Sequence, residues 1–146
     1  MTSPGGSAPG GSDWFHEVLS GGRLRPYDSE TEVVGEAGVV AVSGEMDLYT
    51  ATRFKQDLDE VMASTTGDVV LDLSDLDTID STALGVMLGT LQRLSDDGRW
   101  LILVVTQAHV MRILTITGLR TTFRITASRS EALQQVVAPV DRRRVA

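Results

Sequence analysis

The sequence predicts an α/β fold, with a mainly parallel sheet of about four to five strands and about four helices. Apolar runs of strand length alternate along the chain with segments whose apolar residues recur every three to four positions, the period of a helix. Residues 101–105 are five consecutive aliphatic residues, which is typical of a strand buried on both faces. Strands that alternate with helices need crossover connections, so most neighbouring strands should run parallel.

The first half of the pattern contains two strands and two helices. We expect a strand at residues 39–42 that ends at Ser43-Gly44, followed by a helix over residues 50–62 with Thr50 as its N-cap. A second strand is predicted at residues 69–73. The helix after it should start at Ser81 and run to about residue 94, with Gly98 placed past its end.

The second half repeats this alternation with shorter elements. The aliphatic run at 101–105 is the third strand, and residues 109–116 have helical period until Gly118 stops them. A brief strand at residues 123–125 and a last helix at residues 130–137 complete the order.

Composition divides the 146 residues into three parts. Residues 1–35 are predicted to be a flexible N-terminal extension, because the first twelve are rich in Gly, Ser and Pro. Within it, Trp14-Phe15 could belong either to helical turns docked on the domain or to a mobile arm. Residues 36–138 form the predicted domain, and residues 139–146 are a charged tail.

Several classes of function have little support in this composition. The absence of cysteine excludes disulfides and thiolate metal sites, and His16 and His109 lie far apart, so we expect no metal and no cofactor. We find neither a signal peptide nor an apolar run of membrane-spanning length, so we expect a cytoplasmic protein without membrane contact. No nucleophile–base pair with a histidine and no Gly-rich phosphate loop is present, and we therefore do not expect an enzyme.

Charge is distributed unevenly along a chain whose net charge is −7. Residues 45–80 contain ten acids and two bases, whereas residues 98–130 contain five arginines and no acid. The acidic part is either a solvated surface or a surface that steers a basic partner, and it should repel nucleic acid. The arginines are either scattered surface charges or a second binding patch.

A hydroxyl pair, Ser81-Thr82, stands where a run of aspartates passes into a helix. The start of a helix accepts a phosphate group well, because its free backbone N–H groups and its dipole favour negative charge. Ser81 is therefore either an ordinary first-turn residue or a site of phosphorylation.

Three segments together resemble the STAS domain in its small bacterial form, the anti-anti-sigma factor or anti-sigma factor antagonist. They are SGEMD at residues 43–47 followed by Thr50-Ala51, DSTALG at residues 80–85, and LTITGL at residues 114–119 followed by Phe123. The resemblance covers about residues 36–138 and implies a STAS-like fold. One departure is Ala83, where the family often has glycine; this alanine could narrow the approach of a partner backbone.

The resemblance implies a switch that involves two partners. In the family, the unphosphorylated protein binds an anti-sigma factor with serine kinase activity and so releases the sigma factor; phosphorylation abolishes binding, and a PP2C-type phosphatase reverses it. The phosphorylated serine corresponds to Ser81, the motif aspartate to Asp80, and the aspartate near the serine to Asp47. A small-molecule-sensing module and a scaffold subunit of a larger assembly remain alternatives.

Expected partner contacts lie around this serine. They are Asp47, Asp80, Thr82, Gly85, Val86 and Met87. Gly85 and Gly89 are four residues apart, which indicates either close packing of the helix on the sheet or a smooth docking strip with Val86 or Met87 exposed beside it. Leu84, Leu88 and Leu91 are predicted to be in the core, and the protein is expected to be a monomer or a weak dimer.

Overall fold

The computed structural model of the protein describes residues 25–136, which form one sheet and four helices. The elements are β1 (Asp28–Val34), β2 (Ala37–Met46), α1 (Ala51–Ser64), β3 (Val69–Ile79), α2 (Ser81–Asp96), β4 (Leu101–Val104), α3 (Ala108–Ile116), β5 (Arg124–Thr126) and α4 (Arg129–Gln134). The five strands lie in chain order; β1 is antiparallel to β2, and every later pair is parallel. The predicted α/β fold with a mainly parallel sheet is confirmed.

The two faces of the sheet are buried by different helices, which explains the continuous apolar runs of its central strands. Alternate residues of β3 and β4, such as Leu71 and Leu103, pack with α1, α2 and α3 in the main core. The residues between them, such as Val70 and Ile102, pack with Ala132 of α4 in a smaller cluster on the opposite face. Both central strands are thus covered on both sides, as five consecutive aliphatic residues predict.

The first strand lies outside the predicted domain. The prediction that residues 1–35 form a flexible extension is wrong for residues 28–34, because β1 pairs with β2 over its whole length, from Asp28 opposite Ser43 to Val34 opposite Ala37. Its residues are almost all exposed, so no apolar alternation marks it in the sequence; backbone hydrogen bonds and the turn at Gly35 hold it. The expectations for residues 1–24 and 139–146 concern residues outside the described part.

Most of the other predicted helices and strands are present in the structure, although some of their ends differ from the predicted residues. The start of α2 at Ser81 is as predicted, and Gly98 and Gly118 follow α2 and α3 with φ of 72° and 76°. The predicted strand at 69–73 was too short: β3 continues to Ile79, since its polar second half stays in the ladder with β2. The helix predicted at 130–137 is α4, at Arg129–Gln134, and residue 137 lies outside the described residues.

The segment that leads into β1 lies against the carboxyl ends of β2 and β3. The carbonyl of Arg25 accepts a hydrogen bond from the backbone N–H of Glu45 at 2.9 Å. The Arg25 guanidinium donates to both carboxylate oxygens of Asp77 at 3.1 Å. These hydrogen bonds hold the pKa of the Asp77 carboxyl below its usual range, so this contact stabilises the fold fully above the ordinary carboxylate pKa. The stabilisation is lost as the pH falls from that value through the lowered pKa of the folded protein.

Gly44 permits this close approach. Its φ is 84°, and a Cβ atom at this position would lie 2.1 Å from the carbonyl oxygen of Pro26. Both the backbone conformation and the missing side chain are therefore required at this point of β2.

Gly44→Ala should lower the free energy of unfolding by about 3 kcal/mol, because it adds backbone strain and a backbone clash at the same residue. Gly35→Ala is the matched control: its φ of 63° adds strain, but no atom lies within 4 Å of the new Cβ. We expect Gly35→Ala to lower the free energy of unfolding by about 1 kcal/mol, and urea denaturation measures both variants. Equal losses for the two variants would contradict the role of the Pro26 contact.

Candidate functional site

The carboxyl ends of β2 and β3 meet at one edge of the sheet. Met46, the last residue of β2, lies opposite Ile79, the last residue of β3. The residues that follow, Asp47 and Asp80, therefore lie at the same edge, and α2 begins there with Ser81. The parallel register brings Asp47 to the same edge as Asp80 and Ser81, which lie more than thirty positions later in the sequence.

Asp80 is the N-cap of α2. Its backbone is extended, with φ of −118° and ψ of −178°, and its Oδ1 accepts a hydrogen bond from the backbone N–H of Ala83 at 3.1 Å. Ser81 is accordingly the first helical residue and does not cap the helix. Its side chain is exposed, and its hydroxyl makes no hydrogen bond within residues 25–136.

Asp47 holds the loop between β2 and α1. Its Oδ1 accepts hydrogen bonds from the backbone N–H groups of Tyr49 at 2.9 Å and Thr50 at 3.1 Å. Thr50 stands at the predicted N-cap of α1 but makes no side-chain capping bond; its Oγ1 instead accepts from the backbone N–H of Asp47 at 3.0 Å. Within the described residues, Asp47 and Asp80 each use only Oδ1, so each Oδ2 remains available for another donor.

An exposed strip on α2 continues from Ser81. It consists of Ser81, Gly85, Leu88 and Gly89, which share one side of the helix at spacings of three and four. A Cβ at Gly85 or Gly89 would have no atom within 4 Å, so close packing on the sheet is excluded as the reason for either glycine. The prediction that Leu88 is in the core was wrong, because this residue is 37% exposed; Leu84 is buried as predicted, and Leu91 is half-buried.

Two other residues on α2 differ from the expected partner contacts. Met87 is fully buried in the main core, so the assignment of Met87 as a partner contact is corrected. It points to the sheet because it lies three residues after Leu84 on the buried side of the helix. Val86 and Thr82 are half-buried. Ala83 is also fully buried, so its methyl group does not narrow the surface that a partner would approach.

The loop after β2 adds an apolar surface that the sequence analysis did not identify. Leu48 is 62% exposed and Tyr49 is 82% exposed, directly after Asp47. Exposed aromatic and aliphatic side chains of this size are common in protein interfaces. The sequence does carry a signal for this surface, because two large apolar residues stand between the end of a strand and the N-cap of a helix.

The negative charge beside Ser81 comes mainly from two carboxylates. Asp77, which also precedes α2, is paired with Arg25, so its charge is largely compensated. Neither Asp47 nor Asp80 forms an ion pair with a described residue. A partner with a basic surface at this edge would therefore meet uncompensated negative charge.

Residues 25–136 contain no group of three or more His, Asp or Glu side chains arranged to hold a metal ion. In the same part of the chain, no helix combines the length and the apolar character that crossing a membrane requires.

Comparison with known proteins identifies the family. The family model described as the STAS domain matches residues 28–132, which include all five strands and every described helix except the last two residues of α4. The chain belongs to the STAS domain family. The match begins at β1, in agreement with the strand that the sequence analysis missed.

Several relatives of this STAS domain are named as antagonists of anti-sigma factors. The anti-sigma-B factor antagonist of Staphylococcus aureus is 32% identical over 81 residues, which are 56% of this chain and 75% of that protein. The crystal structure of an anti-sigma factor antagonist from Mycobacterium paratuberculosis has a TM-score of 0.69 at 27% identity and covers 75% of this chain and 92% of that chain. The anti-sigma factor antagonist SpoIIAA in its unphosphorylated form shares the fold, with a TM-score of 0.62 at 20% identity over 82% of this chain and 98% of that chain.

Asp80→Ala should lower the free energy of unfolding of this STAS domain by about 1 kcal/mol, because it removes the cap from α2. Asp80→Asn keeps an acceptor oxygen in the same place, and we expect it to lose less than half as much. Urea denaturation of both variants measures the difference. If the asparagine variant is as unstable as the alanine variant, the charge of Asp80 matters more than its hydrogen bond to Ala83.

Proposed function

We propose that this protein is a cytoplasmic anti-sigma factor antagonist that is switched by phosphorylation of Ser81. The unphosphorylated form binds an anti-sigma factor that is also a serine kinase, and so frees the sigma factor. Transfer of a phosphoryl group to Ser81 abolishes this binding, and a PP2C-type phosphatase restores it. The names of the relatives at 27% and 32% identity support the antagonist function.

The observation that carries the proposal is the position of the Ser81 hydroxyl. It is exposed at the first residue of α2, it has no partner within residues 25–136, and Asp80 already caps the helix. A serine that capped its helix would lose that hydrogen bond on modification, whereas Ser81 can be modified without uncapping α2. The hydroxyl is thus accessible to a kinase at no cost to the fold.

Charge explains why phosphorylation would act on docking and leave the fold intact. A phosphoryl group adds about −1.5 to −2 charges at neutral pH. The N-terminus of α2 tolerates this charge, because its free backbone N–H groups and dipole attract anions. Asp47 and Asp80 lie at the same edge, so the combined negative charge and the added bulk oppose a partner surface that fits the unmodified serine.

The docking surface of the proposal extends from Ser81 in two directions. Along α2 it follows the exposed strip, where two glycines let a partner backbone approach closely. Across the sheet edge it includes Leu48 and Tyr49, whose exposed side chains would supply apolar contact area. Asp47, Asp80, Thr82 and Val86 complete the proposed contacts, each with at least part of its side chain accessible.

The proposal gives this chain a binding role and assigns it no catalysis. The relatives bear the names of regulatory antagonists. Of the two carboxylates at the sheet edge, Asp80 caps α2 and Asp47 holds the loop before α1, which are structural roles. The kinase activity belongs to the proposed partner, for which Ser81 is the substrate.

Two substitutions of Ser81 imitate the two states of the switch: Ser81→Ala the unphosphorylated form and Ser81→Asp the phosphorylated form. Capture from host lysate with the wild-type protein and Ser81→Ala should retain a small ATP-binding kinase, and Ser81→Asp should bind it at least about tenfold more weakly. Far-UV circular dichroism of the three proteins should be nearly identical, because α2 keeps its Asp80 cap. Incubation of the purified partner with ATP should add one phosphate to the wild type and none to Ser81→Ala, as read by mass spectrometry.

The matched controls for this experiment are Ser130→Ala and Ser130→Asp, since Ser130 is also an exposed serine in the first turn of a helix. Both controls should bind like the wild type. Equal retention of the partner by all three Ser81 proteins would overturn the switch, and a large loss of helix in Ser81→Asp would overturn the docking mechanism.

Gly85→Gln tests the exposed strip. The side chain enters open space and replaces a glycine inside a helix, so stability should rise by about 0.5–1 kcal/mol. Partner affinity should nevertheless fall, because bulk is added beside Ser81; isothermal titration calorimetry measures it. Ala63→Gln, an exposed position in the last turn of α1, adds similar bulk far from the sheet edge and should leave binding unchanged. Undiminished binding of Gly85→Gln would remove the strip from the interface.

A further inference from the structure

A pocket lies at the end of the sheet opposite Ser81, where β4 and β5 begin. Its volume is about 340 Å³, at the small end of the range for sites that bind small molecules. The C-terminal part of α2 forms one wall through Leu91 and Ser95, and the segment that leads into β5 forms another through Thr122 and Phe123. We call it the Arg124 pocket, because Arg124 and Trp100 form its third wall.

Arg124 is held in place by stacking. Its guanidinium carbon lies 3.6 Å from the centroid of the Trp100 ring, close enough for a strong cation–π contact. Stacking orients the planar guanidinium but uses none of its N–H donors. Within the described residues Arg124 has no ion pair and no hydrogen bond, whereas Arg93 and Arg129 are both paired with carboxylates.

The remaining lining combines hydroxyl groups with an apolar base. Ser95 and Thr122 are exposed and offer hydroxyl donors. Apolar surface comes from the half-buried Leu91 and from the 5% of Phe123 that is exposed. Arg99 contributes a second positive charge at the wall, and three of its five N–H donors bind the carbonyls of Gly67 and Met62 and the hydroxyl of Thr65. No carboxylate lines the pocket.

The neighbouring groove limits the charge of a ligand. Asp96 and Asp97 line that groove together with Ser95, so negative charge stands directly beside the Arg124 pocket. A ligand with several negative charges would extend toward these aspartates and be repelled. A ligand with a single anionic group can place it on Arg124 and keep its apolar part against Phe123.

We propose that the Arg124 pocket binds a small organic anion, with one carboxylate or phosphate monoester group on Arg124 and a flat apolar body against Leu91 and Phe123. A planar guanidinium with free donors matches such a group with two parallel hydrogen bonds. Arg124 belongs to the stretch at residues 98–130 that contains five arginines and no acid, so the proposal gives one of these arginines a function. The pocket shares no residue with the sheet edge that carries Ser81.

The test uses the full chain with Trp14→Phe, so that Trp100 is the only tryptophan. Benzoate and phenyl phosphate are titrated while the Trp100 fluorescence and its indole N–H resonance are followed. Benzyl alcohol and benzylamine have the same ring without the negative charge. We expect saturable changes with the two anions, with a dissociation constant in the millimolar range for probes of this size, and at least about tenfold weaker binding of the neutral and cationic probes.

Variants assign the binding to Arg124. Arg124→Ala and Arg124→Gln should each weaken anion binding at least about tenfold, and the glutamine retains a side chain of similar length in case the alanine variant is unstable. Arg112→Ala, an exposed arginine of the same stretch outside the pocket, should bind like the parent. The absence of a saturable change with both anions, equal binding of benzyl alcohol, or full binding by Arg124→Gln would each overturn the proposal. Partner binding through Ser81 is unaffected by any of these outcomes, so the two proposals fail separately.

Discussion

The parallel pairing of β2 with β3 is the constraint on which the rest of the structure depends. The register contains two irregularities: the two-residue step from Ala41 to Ser43 lies opposite the three-residue step from Asp72 to Asp75, and the one-residue step from Gly44 to Glu45 lies opposite the two-residue step from Leu76 to Thr78. β3 is therefore two residues longer than the stretch of β2 that it accompanies. Without these irregularities the two strands would end about two residues apart, roughly 7 Å, and the carboxylates that follow them would no longer lie at one level.

The two carboxylates at this edge combine a structural role with an electrostatic one. Asp47 and Asp80 each use one carboxylate oxygen to satisfy backbone N–H groups at the start of a helix. This leaves a second oxygen and most of a negative charge at the surface. One residue type thus sets the local backbone and the electrostatic character of the edge, and the two effects can be separated only by substitutions that keep the acceptor and remove the charge.

Much of this fold follows from sequence because its central elements obey simple periodicities. Aliphatic runs and glycines after helices located β4, α2 and α3. β1 was missed because its exposed side chains carry no pattern and its stability comes from backbone pairing. The buried side of α2 was only partly predictable, since Leu84, Met87, Leu88 and Leu91 are all apolar and cover more of the helix than the sheet can bury. Only the packed structure shows that Met87 is inside and Leu88 is outside.

The contacts of Arg25 determine where the polypeptide enters the domain. Its carbonyl and guanidinium are bound near the carboxyl ends of β2 and β3, a few residues before Asp47 and Asp80. The described part of the chain therefore begins at the edge that carries Ser81. A peptide or protein fused directly before Arg25 would have a high local concentration at this edge and could compete with, or recruit, whatever binds there. The described chain leaves the domain after α4, on the other face of the sheet, so a fusion placed directly after that helix is attached elsewhere.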